Sequence, residues 1–523
     1  MAVTLTPTAE QQAIIDAYRA GVNLVIEAGA GTGKTTTLRL LAGAVPDRDG
    51  CYIAYNRAIA EEARRVFPPH IECATAHALA FRALPAPFKG RFRRQRPRQP
   101  ARLVAKLLGI DPLRVDKDLV LAPAQVARIV LDTVTRFCRS ADPQLDARHL
   151  PRIEGITAPA APPGARVALR EAVVPLAQRA WADLSRPDGQ LRYSFEHYLK
   201  QWQLTGPRLD VEVVLFDEAQ DANPVIAAIV ERQAHAQRVL VGDASQAIYG
   251  WNGAIDAMSQ FQADVRLKLS ESFRFGPPIA AEANKWLQVL GADLRLSGRA
   301  PHPSRVERLA APDAILCRTN AGAVAALMAA AEQGRRAALV GGGEAIKRLA
   351  EAALELQQGI PTSHPELIAF TSWGQVREYV EQEQAGSDLR VFVRLIDDHG
   401  ADAVIATMDH LVEERRAQVV VSTAHKAKGR EWDQVQVAGD FRQPKPAEDG
   451  GPRVDPAEAM LAYVTVTRAR RVLDRGGLAW VDDLDGWEQP GGPPAAMPVD
   501  AVDGGPPRRP GLSYDLREGV RRR

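Results

Sequence analysis

Residues Ala28, Gly29, Ala30, Gly31, Thr32, Gly33, Lys34 and Thr35 spell AGAGTGKT, directly after the apolar run Asn23–Glu27 (NLVIE) and before an apolar helical pattern. Glycines at this spacing let backbone N–H groups approach a polyphosphate at the positive end of a helix. Lys34 is then set to hold the β- and γ-phosphates, and the Thr35 hydroxyl to ligate Mg²⁺. A merely flexible turn would need neither the strand before nor the helix after. A second cluster, Leu215–Asp221 (LFDEAQD), follows the run Val211–Phe216. A carboxylate at a strand end, Asp217, can hold Mg²⁺ through its water shell. Its neighbour Glu218 can orient and deprotonate an attacking water. Alone, an Asp-Glu pair is an ordinary solvated turn; beside the glycine-rich loop it predicts nucleoside triphosphate hydrolysis, with ATP and Mg²⁺ as the small molecules bound.

Residues doing this chemistry must be carried on strand ends. Short apolar runs recur at Asn23–Glu27, Cys51–Tyr55, Val211–Phe216, Arg238–Val241, Ala314–Cys317, Gln418–Ser422 and Gln434–Ala438. They read as buried parallel strands with crossover helices, an α/β class whose chemistry sits in the loops at the strands' C-terminal ends. Residues 85–204 read as a helical insertion and 356–415 as a smaller one. The chain from Gly486 is rich in Pro, Gly and Arg and reads as a disordered tail.

Composition excludes little. A net charge of +2 over 523 residues requires any nucleic-acid surface to be local. Cys51, Cys73, Cys138 and Cys317 lack metal-ligand or redox spacing and read as free thiols in a reducing compartment. The N-terminus does not have the pattern of a signal peptide, and no apolar run approaches the ~20 residues of a membrane span, so a cytoplasmic protein without a membrane partner is expected.

The order of motifs resembles superfamily 1 helicases of the UvrD/Rep type, and in particular the helicase region of the F-box DNA helicases. It runs Ala28–Thr35, Asp217–Gln220 (DEAQ), Gly242–Ala254 (GDASQAIYGWNGA), Leu269–Arg274 (LSESFR), Thr423–Trp432 (TAHKAKGREW) and Tyr463–Ala469 (YVTVTRA), across about residues 5–475. Each motif is weak alone; together and in order they are specific. The resemblance implies two RecA-like P-loop domains with parallel sheets, each carrying an inserted subdomain, with ATP in the cleft between them. The first would comprise 1–84 and 205–258, the second 259–355 and 416–485, with insertions at 85–204 and 356–415 and a tail at 486–523.

It further implies that Gln246 senses the γ-phosphate and that Arg274 and Arg468 act as arginine fingers, whose fixed fork of donors suits developing phosphate charge. Phe273 would stack on adenine, Gln11 or Gln12 would read its edge, Thr36 would adjoin the phosphates, and Glu431 would reach the ribose or the γ-phosphate side. Surface ion pairing is the plainer reading of either arginine taken singly. Two positions depart from the family: Asn252 stands where arginine is usual, and Thr36 where some members have arginine.

Single-strand binding needs aromatic platforms and polar groups for the backbone. Trp251 resembles the family's base-stacking aromatic, with a core tryptophan as the alternative. Tyr55, Asn56 and Arg57, then Thr75 and His77, then Thr423, His425 and Lys426 resemble its DNA-contacting loops. The stretch Lys89–Arg102 (KGRFRRQRPRQPAR), with seven basic residues and no acidic one, is either a grip on duplex phosphates or a solvated loop. Three functions remain open: a helicase or translocase on single-stranded DNA, moving 3′ to 5′ and engaging single-strand/duplex junctions; an ATPase that strips proteins from DNA, with recombinase or repair proteins as partners; and a P-loop ATPase that does not act on nucleic acid.

Overall fold

The computed structural model describes residues 6–94, 99–115, 120–151, 153, 163–248, 256–300, 302–360, 362, 364, 367, 370, 372–382, 387–441, 443–444 and 454–484. Three strands come first: β1 (Leu24–Ala28), β2 (Gly50–Ala54) and β3 (Ile71–Thr75). A short antiparallel pair, β4 (Leu113–Arg114) and β5 (Val120–Leu121), lies within the helical stretch that follows. The chain then returns with β6 (Val213–Phe216), β7 (Gln237–Gly242) and β8 (Val265–Leu269). These complete a parallel sheet of order β3-β2-β6-β7-β1-β8. Next, β9 (Glu271–Ser272) pairs with β10 (Ser297–Gly298). The second sheet takes β11 (Arg305–Val306), β12 (Ala314–Cys317), β13 (Ala337–Leu339), β14 (Val419–Thr423), β15 (Trp432–Val437) and β16 (Ala469–Asp474). Its order is β11-β16-β15-β12-β14-β13, again wholly parallel. Two six-stranded parallel sheets with helical crossovers give the expected pair of RecA-like folds.

Central strands such as β6 (VVLF) bury every residue, because helices cover both faces of a parallel sheet. Alternation then divides their side chains between two cores. Val213, Leu215, Val239 and Val241 join Leu24, Ile26 and the helix Ala9–Arg19 on one face. Val214, Phe216 and Leu240 face the other way, into a core shared with the helices Pro123–Arg139 and Pro163–Leu184.

Three expectations need correction. The crossing between sheets falls after Leu269 and not at 258, since β8 pairs along β1. Its sequence VRLKL alternates between half-exposed and exposed positions before Leu269, as an edge strand does, and so lacks the continuous apolar run of a central one. The expected start of the smaller insertion at 356 falls inside a helix, Glu344–Gln357, which with the helices Trp373–Gln382, Ser387–His399 and Ala401–Asp409 shares one core with strands of the second sheet. Finally, Lys89–Arg102 is no uniform basic strip. Arg91 is buried and donates to the carbonyls of Asp183 at 3.1 Å, Leu184 at 3.0 Å and Leu191 at 2.8 Å, so it ties helices together; residues 95–98 lie outside the described residues. The expected tail also lies outside them. Among the described residues no helix is long and apolar enough to cross a membrane, and all four cysteines are free and buried.

Candidate nucleotide site and nucleic-acid face

β1 ends at Ala28, and the loop after it turns into the helix Lys34–Ala44 through Gly31 at φ 76° and Gly33 at φ 78°. Only glycine takes this backbone without strain. At Gly31 space forbids a side chain as well, because a Cβ would meet both Arg274 Cβ and Ser272 Oγ at 2.6 Å. The loop is held from inside by Thr32 Oγ1, which donates to Gly29 O at 2.9 Å. It is held from outside by the segment between the sheets: Ser272 Oγ donates to Ala30 O at 2.9 Å, and Phe273 N to Gly31 O at 2.8 Å. Phe273 is half-buried, with the Arg299 guanidinium 5.3 Å from its ring centre. Gln11 and Gln12 differ in placement. Gln11 is buried and donates to Thr37 Oγ1 in the loop's own helix at 3.1 Å, whereas Gln12 is exposed and pairs with Asp16. Thr36 is half-buried in the first turn of that helix.

Asp217 follows β6. It is buried, and its Oδ2 accepts from Tyr52 OH at 2.6 Å and lies 3.5 Å from Thr35 Oγ1. Burial, and then the Glu218 charge, raise its carboxyl above the usual range. Glu218 is the single non-glycine residue with positive φ among the described residues, at 52°, a conformation that costs an L-residue about 1–2 kcal/mol. Its Oε1 lies 3.8 Å from Lys34 Nζ, and Gln220 Nε2 donates to its other oxygen. Burial pushes the Glu218 carboxyl up, but Lys34, Lys428, the Gln220 hydrogen bond and Arg468 together outweigh it and the net shift is downward. Glu218 is therefore ionised and able to accept a proton. The two hard oxygens of Thr35 and Asp217 suit Mg²⁺, which takes few protein ligands and completes its shell with phosphate and water. Among the described residues no group of three or more His, Cys, Asp or Glu residues is placed to hold a metal ion.

The second sheet's lobe meets this site directly. Arg274 Nε donates to Glu431 Oε2 at 2.6 Å, and its Nη1 to Thr467 O at 2.9 Å. Arg468 is fully buried; it donates to Val464 O at 2.8 Å, Thr467 Oγ1 at 3.0 Å and Gln246 Oε1 at 3.3 Å. Burial, then the neighbouring Arg274 charge, bring its guanidinium down to about 9. Gln246 Nε2 donates in turn to Asp243 Oδ2 at 2.6 Å. Thus Lys34, Thr35, Asp217, Glu218, Gln246, Arg274 and Arg468 are brought together, with Glu431 paired to Arg274.

Sequence reasoning overlooked three partners here. Lys428 ion-pairs with Asp221 and donates to Gln246 O. Gln220 Oε1 accepts from Asp243 N at 3.0 Å. The Tyr463 hydroxyl accepts from Ala30 N at 3.1 Å and donates to Asp243 Oδ2 at 3.0 Å. The available signal was a polar residue inside each motif segment already singled out.

The candidate DNA loops share one construction. Asn56, Thr75 and Thr423 each cap the helix that follows a strand, accepting from the backbone N of Ile59 at 2.9 Å, Ala78 at 3.2 Å and Lys426 at 3.4 Å. Their side-chain oxygens are engaged in capping, which leaves the exposed Tyr55, Arg57 and Lys426 as the outward groups. Arg57 pairs with Glu61 at 2.6 Å. His425 is half-buried. His77 is partly covered by Phe195, ring centres 5.4 Å apart, and burial lowers its pKa. Phe195 is 53% exposed, an aromatic surface the sequence reading passed over. Trp251 and Asn252 lie outside the described residues.

Comparison with known proteins gives a consistent picture. Residues 190–266 match the UvrD/REP helicase N-terminal domain. The chain is 28% identical to F-box DNA helicase protein 1 of Schizosaccharomyces pombe, covering 89% of this chain and 57% of that protein. It is 27% identical to F-box DNA helicase 1 of Gallus gallus, covering 89% and 48%. It is also 27% identical to ATP-dependent DNA helicase UvrD2 of Mycobacterium tuberculosis, covering 50% and 46%. The chain spans about half the length of the curated relatives it matches.

Proposed function

We propose that this UvrD/Rep-like chain is an ATP-driven motor that moves along single-stranded DNA, 3′ to 5′, and opens duplex at single-strand junctions. The observation that carries it is the convergence of Lys34, Asp217 and Glu218 of one sheet with Arg274 and Arg468 at the other, joined through Gln246. The first domain comprises the β1–β8 sheet and the second the β11–β16 sheet, each with a helical insertion.

ATP enters with its phosphates against the loop amides and Lys34. The phosphate displaces Glu218 from Lys34 and Glu431 from Arg274, because a polyphosphate outcompetes one carboxylate for a cation. Thr35 and Asp217 would hold Mg²⁺, which supplies charge neutralisation at the phosphates. The released Glu218 takes a proton from the attacking water. Arg274 and Arg468 meet the charge developing on the transferred phosphoryl group, a contribution worth about 10³–10⁵ in rate. Gln11 and Phe273 hold the base. Gln246 passes the state of the γ-phosphate to the segment carrying Trp251. Tyr55, Arg57, His77, Phe195 and Lys426 form the track, with stacking and backbone contacts that any sequence satisfies.

The test is ATP turnover with and without single-stranded DNA, followed by strand displacement on tailed duplexes of either polarity. Stimulation together with displacement from a 3′ tail is expected. Stimulation without displacement favours an ATPase that strips proteins from DNA. ATP turnover indifferent to DNA would overturn the motor.

A further inference from the structure

From across the cleft the Tyr463 hydroxyl reaches the backbone of the glycine-rich loop, at Ala30. Tyr463 sits in the helix Pro456–Val466 and is wholly buried. A phenol in that position must find partners for its O–H, and it finds two on the opposite lobe. Ala30 N donates to it at 3.1 Å, and it donates to Asp243 Oδ2 at 3.0 Å. Asp243 is itself buried, and the same oxygen accepts from Gln246 Nε2 at 2.6 Å, while Oδ1 accepts from Ser245 N at 3.1 Å. Gln246 in turn meets Arg468, which lies just beyond the helix end that carries Tyr463.

The contacts therefore close a ring: Ala30 amide, Tyr463 hydroxyl, Asp243 carboxylate, Gln246 amide, Arg468 guanidinium, and back into the Tyr463 helix through Val464 O. The Ala30 peptide is gripped on both sides, since its carbonyl accepts from Ser272 Oγ at 2.9 Å. The phosphate loop and Gln246 are thereby both tied to the second lobe through one connected set of hydrogen bonds.

We infer that Tyr463 is a positioning residue for hydrolysis, whose hydroxyl makes the shape of the phosphate loop and the aim of Gln246 depend together on closure of the cleft. This deepens, and rests on, the ATP-hydrolysing reading above. Burial and the adjacent Asp243 carboxylate push the phenol's pKa well above its usual value, so at neutral pH it is protonated and donates to Asp243. The hydroxyl touches no phosphate in this role; it acts through Ala30 and Gln246.

The test is Tyr463→Phe, which keeps the ring and its packing and removes only the oxygen. Four quantities are compared with the wild type: hydrogen exchange of the peptide spanning Ala30 without nucleotide, the dissociation constant for a non-hydrolysable ATP analogue, kcat, and melting temperature. Expected are faster exchange at the loop, analogue affinity within about threefold, and kcat lower by about 10–100-fold, a loss confined to the chemical step. Combining Tyr463→Phe with Gln246→Ala is expected to slow turnover no further than the slower single variant, because residues acting in one network are not additive. A kcat equal to wild type, unchanged exchange, fully additive losses, or a fall in kcat matched by an equal loss of folded protein would each overturn the role of Tyr463. A wild-type protein that does not turn over ATP sinks the hydrolysis reading itself, and the two failures are thereby distinguished.

Discussion

Lys34 and Glu218 neutralise one another across 3.8 Å, and Arg274 and Glu431 do so at 2.6 Å, so the free site holds its own surrogate anions. Removing either member of the first pair has a different outcome. Lys34→Ala is expected to abolish turnover and weaken ATP binding together, because the phosphates lose their cation. Glu218→Gln is expected to bind ATP at least as well as wild type and to lose turnover, since only the base is gone. Equilibrium binding of a labelled ATP analogue beside a phosphate-release assay separates them, and normal turnover by Glu218→Gln would sink the assignment. The arginines differ in another way. Arg274→Ala and Arg468→Ala are each expected to slow kcat far more than they alter ATP affinity. Only Arg468→Ala is expected to lower folding stability as well, by about 1–3 kcal/mol, because it strands buried acceptors on Val464 and Gln246. A defect wholly in KM for either variant would indicate ground-state phosphate binding instead.

Strand ends carry most of the chemistry, and that is why much of it can be read from sequence. AGAGTGKT and DEAQ are local: a strand, a turn and the next few residues suffice to place Lys34, Thr35, Asp217 and Glu218. The central strands β1, β2, β6 and β12 announce themselves as apolar runs. Edge strands do not, and β8 with its Arg266 and Lys268 was assigned to the wrong side of the crossing. Tyr463 and Lys428 lie inside two of the motif segments, but their role there is not legible from sequence, because their partners lie more than 180 positions away in the chain. The same holds for Phe195, whose meaning comes from His77 in another element. Phe195→Ala is expected to weaken single-strand binding by about 1–3 kcal/mol, the loss of one stacking surface, with little change in melting temperature because the ring is exposed. Unaltered DNA affinity would remove it from the track. Within the helical insertion, Lys200 is wholly buried and donates to Ser140 O at 2.8 Å, Asp142 O at 2.6 Å and Gln203 Oε1 at 2.8 Å. Burial brings its ammonium down from 10.5 to about 8. The folded state then releases a proton that the unfolded chain keeps until about pH 10.5, so this group makes stability rise with pH between roughly 8 and 10.5. Denaturant titrations at a series of pH values should show that rise in wild type and lose it in Lys200→Met.

Both sheets fall within one compact unit that ends at Val481, and buried contacts cross between them at Tyr463, Arg468 and Lys428. A single cooperative melting transition is therefore expected for this unit. A non-hydrolysable ATP analogue with Mg²⁺ at a hundredfold excess over its Kd should stabilise it by about 2.7 kcal/mol. Two separate transitions in calorimetry, only one of them ligand-sensitive, would show the lobes melting independently. The covalent passage from one sheet to the other runs through Ser272, Phe273 and Arg274, and this same stretch forms a wall of the phosphate loop, so close to Gly31 that no methyl group fits between them. Tension that pulls the lobes apart therefore has no slack to take up before it reaches the nucleotide. For the proposed motor the consequence is mechanical: an opposing load should raise the ATP concentration needed for half-maximal speed, so that force acts on fuel capture and not on the stride alone.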